Sequence, residues 1–183
     1  GHSNVVVYES TTGLRSEAAT AISMPEVIAF SLRKPRRSLA ALSRLIEDEN
    51  PDLIHIHDIS NFFTVALCAA NRPTMRTLHD HTPFCPSSIR YYRNSGNRCD
   101  RAFGPYCFYS AYANWCNSRS PGRVASTYIN SYREIGNKAI YRKVIVASRY
   151  MREQLLLNGY EDTQIEVIPY FTSVEASSIE DTA

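Results

Sequence analysis

A single-domain α/β fold, built on a parallel sheet with helices on both faces, is what this 183-residue sequence predicts. Three observations lead there. Short apolar runs rich in β-branched residues alternate with amphipathic helical stretches, the order that parallel crossover units require. Two of those runs, around Pro51-Asp-Leu-Ile-His-Ile-His57-Asp58 and Thr77-Leu-His-Asp80, end in a His-Asp pair, and polar groups at carboxyl ends of parallel strands are where ligands bind. With 44% apolar content, a chain of this length can bury one core.

The elements follow in order. Residues 4–8 (Asn-Val-Val-Val-Tyr) and 25–30 (Pro-Glu-Val-Ile-Ala-Phe) read as strands bounded by turn formers. Residues 37–49 read as a helix, because Leu39, Leu42, Leu45 and Ile46 recur at spacings of three and four, and Asn50-Pro51 stops it. A strand at 53–57, a helix at 61–70, a strand at 73–78, a helix at 124–136 and a strand at 143–147 continue the alternation. Ser148 is placed to cap a helix that Asn158-Gly159 closes, and a last strand at 164–168 ends at Pro169. Residues 82–120 show no periodicity and far exceed the roughly 12–15 residues expected of a structureless loop, so this insertion needs its own source of order. Residues 172–183, rich in Ser, Glu, Asp and Thr, read as a linker or tail.

Composition narrows the function. A net charge of +2, from 20 basic and 18 acidic residues, argues against nucleic acid as the main partner. No run approaches the roughly 18 apolar residues of a membrane span, and no basic segment leads into an apolar run at the start, which predicts a soluble, cytoplasmic protein. Five cysteines do not suggest a secreted disulfide framework, and the lack of a Cys-x-x-Cys pair argues against a redox protein. Cys68 reads as helix core.

The candidate site residues are His57, Asp58, His79 and Asp80, with capping of nearby backbone as the plainer alternative for each. His55 and His57 alternate with Ile54 and Ile56, so both rings share one face, and His55 is expected to be a hydrogen-bonded core residue. Cys85, Cys99, Cys107 and Cys116 lie 14, 8 and 9 positions apart within the insertion. Four thiols suit a structural zinc ion, although the compact Cys-x2-4-Cys knuckles are missing; reduced thiols or one to two disulfides are the alternatives. Tyr91, Tyr92, Tyr106, Phe108, Tyr109, Tyr112 and Trp115 are expected to form the insertion's own core, or else a stacking wall for a sugar or lipid-linked acceptor. Arg33-Lys34-Pro35-Arg36-Arg37 places four cations at a helix start, where an acidic membrane surface or a phosphorylated acceptor would be favourable; ordinary solvation is the plainer reading.

Four motifs in register resemble the amino-terminal, acceptor-binding half of retaining GT-B glycosyltransferases of family 4. They are Pro51 to His57; Thr77-Leu-His-Asp80 with Cys85-Pro86; Val144 to Ser148-Arg149; and Asn158-Gly159 with Val167-Ile-Pro169. The resemblance covers most of the chain and implies a Rossmann-like domain at 1–171 carrying the insertion, with 172–183 leading toward a carboxy-terminal domain that would hold a nucleotide-sugar and a Glu-x7-Glu pair. It implies a hexosyltransferase-type enzyme in glycan biosynthesis, inactive as this half alone and needing no cofactor of its own. His79 and Asp80 take the catalytic positions. His57, Asp58, His81, Ser148 and Arg149 take acceptor-binding ones. In the family, Gly-His-x-Val opens the second strand, where Gly1-His2-Ser3-Asn4-Val5 falls. In that register the usual central strand is missing, and the open backbone edges would need cover from a homodimer or a rearranged pairing. A metal-stabilised binding module without enzymatic activity is the alternative from another class.

Overall fold

The computed structural model describes residues 4–8, 19–29, 31–57 and 59–170. Asp58, Gly1 to Ser3, Phe30 and the tail read at 172–183 lie outside the described residues. The fold is α/β, with strands β1 (Asn4–Tyr8), β2 (Ala19–Ser23), β3 (Ile54–Ile56), β4 (Thr74–Leu78), β5 (Lys143–Val146) and β6 (Ile165–Val167). Its helices are α1 (Pro25–Ile28), α2 (Arg36–Glu49), α3 (Phe62–Asn71), α4 (Tyr106–Ala113), α5 (Pro121–Gly136) and α6 (Arg149–Leu157). All strand pairing is parallel, as a Rossmann-like domain requires.

The strands form two sheets where one was expected: β1–β2, and β3–β4–β5–β6. Among the described residues no ladder joins either amino-terminal strand to β3. The break has a local counterpart in the second correction, since residues 25–28 form a helix turn rather than part of a strand. Pro25 sits at its first position, Glu26 favours the helix start, and Val27 and Ile28 are buried. So short an apolar run carries no periodicity that separates strand from buried helix, and here the proline decides. The strand at Ala19–Ser23 escaped notice because Ala-Thr-Ala-Ile-Ser is small and weakly apolar.

Helix α4 lies within the stretch expected to be irregular; the other elements fall within a few residues of their expected places, and the reasons are visible in the side chains. Leu39, Leu42 and Ile46 of α2 face the core as one stripe, and Asn50 ends the helix in the left-handed conformation at φ 43°. Ser148 Oγ accepts the Met151 N–H at 3.2 Å to cap α6, and Gly159 follows it at φ 77°. The core joins these residues to Val65 and Cys68 of α3, Leu78 of β4, Val144 and Val146 of β5, and Leu155 of α6. Burial pushes the Cys68 thiol up to about 11, so it stays protonated as a core residue.

A buried ion pair crosses this core. Arg76 of β4 donates from Nη1 to Glu134 Oε2 of α5 at 2.8 Å and to Tyr141 Oη at 2.7 Å, while Tyr141 donates to the same carboxylate at 3.0 Å. Its Nη2 donates to the Ile59 carbonyl at 3.1 Å, which fixes the segment leaving β3. Burial opposes the Arg76 charge, but Glu134 and Tyr141 more than offset this and hold the guanidinium protonated.

Candidate functional site

The site stands at the carboxyl ends of β3 and β4. β3 pairs with β4 in the register His55 to Met75 and Ile56 to Arg76, so the two strands deliver their terminal histidines side by side. The chain leaving β3 is pinned three ways. Ser60 N–H donates to the Ile28 carbonyl at 3.2 Å, Asn61 caps α3 through Phe63 N–H at 3.1 Å, and the Asn61 amide also donates to the Glu26 carbonyl at 3.2 Å.

There the imidazoles meet. His57 Nδ1 lies 3.2 Å from His79 Nε2, and His79 Nδ1 lies 2.7 Å from Tyr170 Oη. The His57 and His79 rings are stacked with centroids 5.6 Å apart, and the Tyr170 ring is nearly parallel to that of His79. His55 stands beside His57 at 4.2 Å and bonds Thr77 Oγ1 through Nε2 at 2.8 Å. All three rings are open to solvent. His55 is therefore not a core residue as expected, because β3 lies at the sheet edge and its 55/57 face is uncovered. Partial burial, then the neighbouring His57 and His79 rings, lower the pKa of His55.

Tyr170, His79 and His57 form a continuous hydrogen-bonded chain. Each imidazole link needs one N–H and one lone pair, so a proton taken at one end can be passed as a change of tautomer. Tyr170 was not singled out from sequence. The rule that all strand ends share one rim applies equally to Pro169-Tyr170 after β6 and could have found it.

The other expected residues divide. Asp80 does not orient His79, since both His79 nitrogens are engaged elsewhere. Its carboxylate instead accepts from Thr82 N–H at 2.8 Å and from Thr82 Oγ1 at 2.6 Å, holding the turn after β4. His81 does not join the rim. Its Nδ1–H donates to the Ser88 carbonyl at 3.1 Å, and its ring packs edge-on against Phe84 and Tyr150. Burial lowers its pKa, keeping the ring neutral as an anchor for the insertion. Ser148 is occupied as a helix cap, and Arg149 is exposed at the first position of α6. Asp58 lies outside the described residues.

Beyond the same two strands, a cavity of about 250 Å³ is lined by Ser60, Thr82, Pro86, Thr127, Asn130 and Ser131. Its polar groups are hydroxyls and one amide, with no charged side chain, set in a lining that is mostly apolar, a combination suited to both the hydroxyls and the C–H faces of a neutral polyol.

The insertion departs from expectation. Its aromatics do not form a core: Tyr91, Tyr106, Phe108, Tyr109, Tyr112 and Trp115 are all exposed, Tyr109 at 64%. Only α4 interrupts its irregular course, and all five cysteines of the chain are free. Among the described residues no group of three or more His, Cys, Asp or Glu side chains, as arranged, stands ready to hold a metal ion. Among them too, no helix is long and apolar enough to cross a membrane. At Arg36, α2 starts with no acidic residue in its first turn, so the basic run from Arg33 sits at a helix amino terminus as read from sequence.

No curated protein and no solved structure matches the chain. A protein-family model does: residues 1–175 match Glycosyltransferase Family 4 across the two strands, the histidine rim and the insertion alike. The chain belongs to glycosyltransferase family 4.

Proposed function

We propose that this domain binds the sugar acceptor of a retaining glycosyltransferase and presents its hydroxyl to a nucleotide-sugar held by a further domain. The observation that carries the reading is the His57–His79–Tyr170 chain at the mouth of two parallel strands, next to a cavity lined by hydroxyl and amide groups. In the transfer, the acceptor oxygen forms a bond to the anomeric carbon as the bond from that carbon to the diphosphate oxygen breaks. The acceptor proton leaves toward the departing phosphate, or to His79 when the acceptor hydroxyl takes the place of His57 or Tyr170 at one of its ring nitrogens. His79 is thus the catalytic or acceptor-positioning residue, and Asp80 fixes the turn that carries it. The exposed Arg149 faces solvent as a candidate contact for an anionic acceptor or donor group.

The polypeptide carrying this domain, incubated with a panel of nucleotide-sugars and glycan or lipid-linked acceptors, is expected to yield a glycoside whose anomeric configuration matches that of the donor. An inverted product would overturn the retaining mechanism, and a product formed equally well when Ser131→Val and Asn130→Leu fill the cavity would remove it from the acceptor site.

A further inference from the structure

The insertion holds together without an apolar core of its own. Between residues 86 and 120 the buried side chains are Arg90, Ser110 and Ala111. Fixing the backbone of a segment this long costs on the order of 1–2 kcal/mol per residue, which one buried alanine does not offset. Something else must order it.

Four thiols stand where that stabilisation is needed. Cys85, Cys99, Cys107 and Cys116 all line one cavity of about 30 Å³, room enough for a water or an ion. They come from four separate pieces of chain. Cys85 is in the turn after β4, whose Cys85 carbonyl accepts from Ser88 N–H at 2.9 Å. Cys99 is brought in by an antiparallel bridge between Tyr91 and Arg98 and by its own N–H donating to the Arg90 carbonyl at 2.8 Å. Cys107 lies in the first turn of α4 and Cys116 just past its end. Hydroxyls accompany two sulfurs, Ser87 Oγ at 3.2 Å from Cys85 Sγ and Ser110 Oγ at 3.6 Å from Cys116 Sγ. Arg90 and Arg101 line the same cavity, and the Nε of the buried Arg90 has no hydrogen-bond partner among the described residues.

We infer that Cys85, Cys99, Cys107 and Cys116 bind one zinc ion as a tetrahedral thiolate centre that cross-links the insertion and ties it to the end of β4. Binding forms four S–Zn bonds of about 2.3 Å and releases the four thiol protons to solvent. As arranged the four thiols are not at metal-binding distance, so the sulfurs must draw together around the cavity they line when the ion binds. The centre then carries about two surplus negative charges, which Arg90 and Arg101 offset, and the free Arg90 Nε–H gains a thiolate to donate to.

The test is elemental analysis of the intact polypeptide, expressed with zinc and purified without chelator, together with the absorption spectrum after cobalt exchange. About one zinc per chain and the intense bands of a tetrahedral cobalt–thiolate site are expected, with zinc content falling at least about tenfold in Cys99→Ser and Cys116→Ser while Cys68→Ala retains it. Zinc-free protein with four reactive thiols would overturn the inference. So would two disulfides found by mass, or zinc retained in both serine variants. Because the native protein's metal content and cobalt spectrum are read directly, poor folding of a variant does not blunt the result.

Discussion

The two sheets of this domain are built from similar residues and end up in different states. β1 is Asn-Val-Val-Val-Tyr, as apolar as any strand in the chain, yet none of its side chains is buried and Val6 is 38% exposed. β5 is Lys-Val-Ile-Val, and Val144 and Val146 are fully buried. The difference is in the neighbours. β5 lies between β4 and β6 under α6, whereas β1 has a single described strand partner, and a two-stranded ribbon is marginal by itself. β-branched composition makes a strand; flanking strands and a covering helix layer make it a core. The site uses the well-packed sheet, so its histidines are held by the rigid part of the molecule.

That contrast can be broken by mutation. Glu134→Ala strips the buried Arg76 of its partner and is expected to cost about 3–5 kcal/mol in urea unfolding, the largest single loss in the four-stranded region. A loss under about 1 kcal/mol would mean that Arg76 finds water instead. Val144→Ala removes two buried methyl groups and should cost about 2 kcal/mol or more, whereas Val6→Ala should stay within about 0.5 kcal/mol. Equal losses at the two valines would show the amino-terminal sheet to be packed as tightly as the other. The smallest effect is with pH. His55 and His81 both have pKa values below about 6.5 in the folded state, so the unfolded chain takes up protons that the folded one refuses. Their contribution is complete above about pH 6.5 and shrinks as the pH falls below it; His81→Gln should flatten the acid side of a melting-temperature profile. An unchanged profile would place the His81 ring in water.

Long helices and strands with flanking partners were readable from sequence because period and caps agree there, as in α2 with its Leu39, Leu42 and Ile46 stripe, or α6 between Ser148 and Gly159. Residues 25–28 were not, since Val27 and Ile28 are too short an apolar run to carry a period and Pro25 outweighed the β-branched residues. At the site, strand-end placement singled out His57 and His79, which meet at 3.2 Å. Asp80 and His81 adjoin His79 in sequence but turn to Thr82 and Ser88, because the backbone reverses immediately after β4. Tyr170 joins from 91 positions away, at the end of another strand of the same sheet. The insertion's composition pointed to an aromatic core, yet most of its rings are exposed while its cysteines line a common cavity.

The rate of sugar transfer by the polypeptide carrying this domain, compared between the native chain and His79→Ala at saturating donor and acceptor, bears most directly on the strand-end site. Turnover is expected to fall at least about tenfold, with unfolding free energy changed little because the ring is solvent-exposed. Turnover equal to that of the native chain would show that the paired imidazoles take no part in the chemistry.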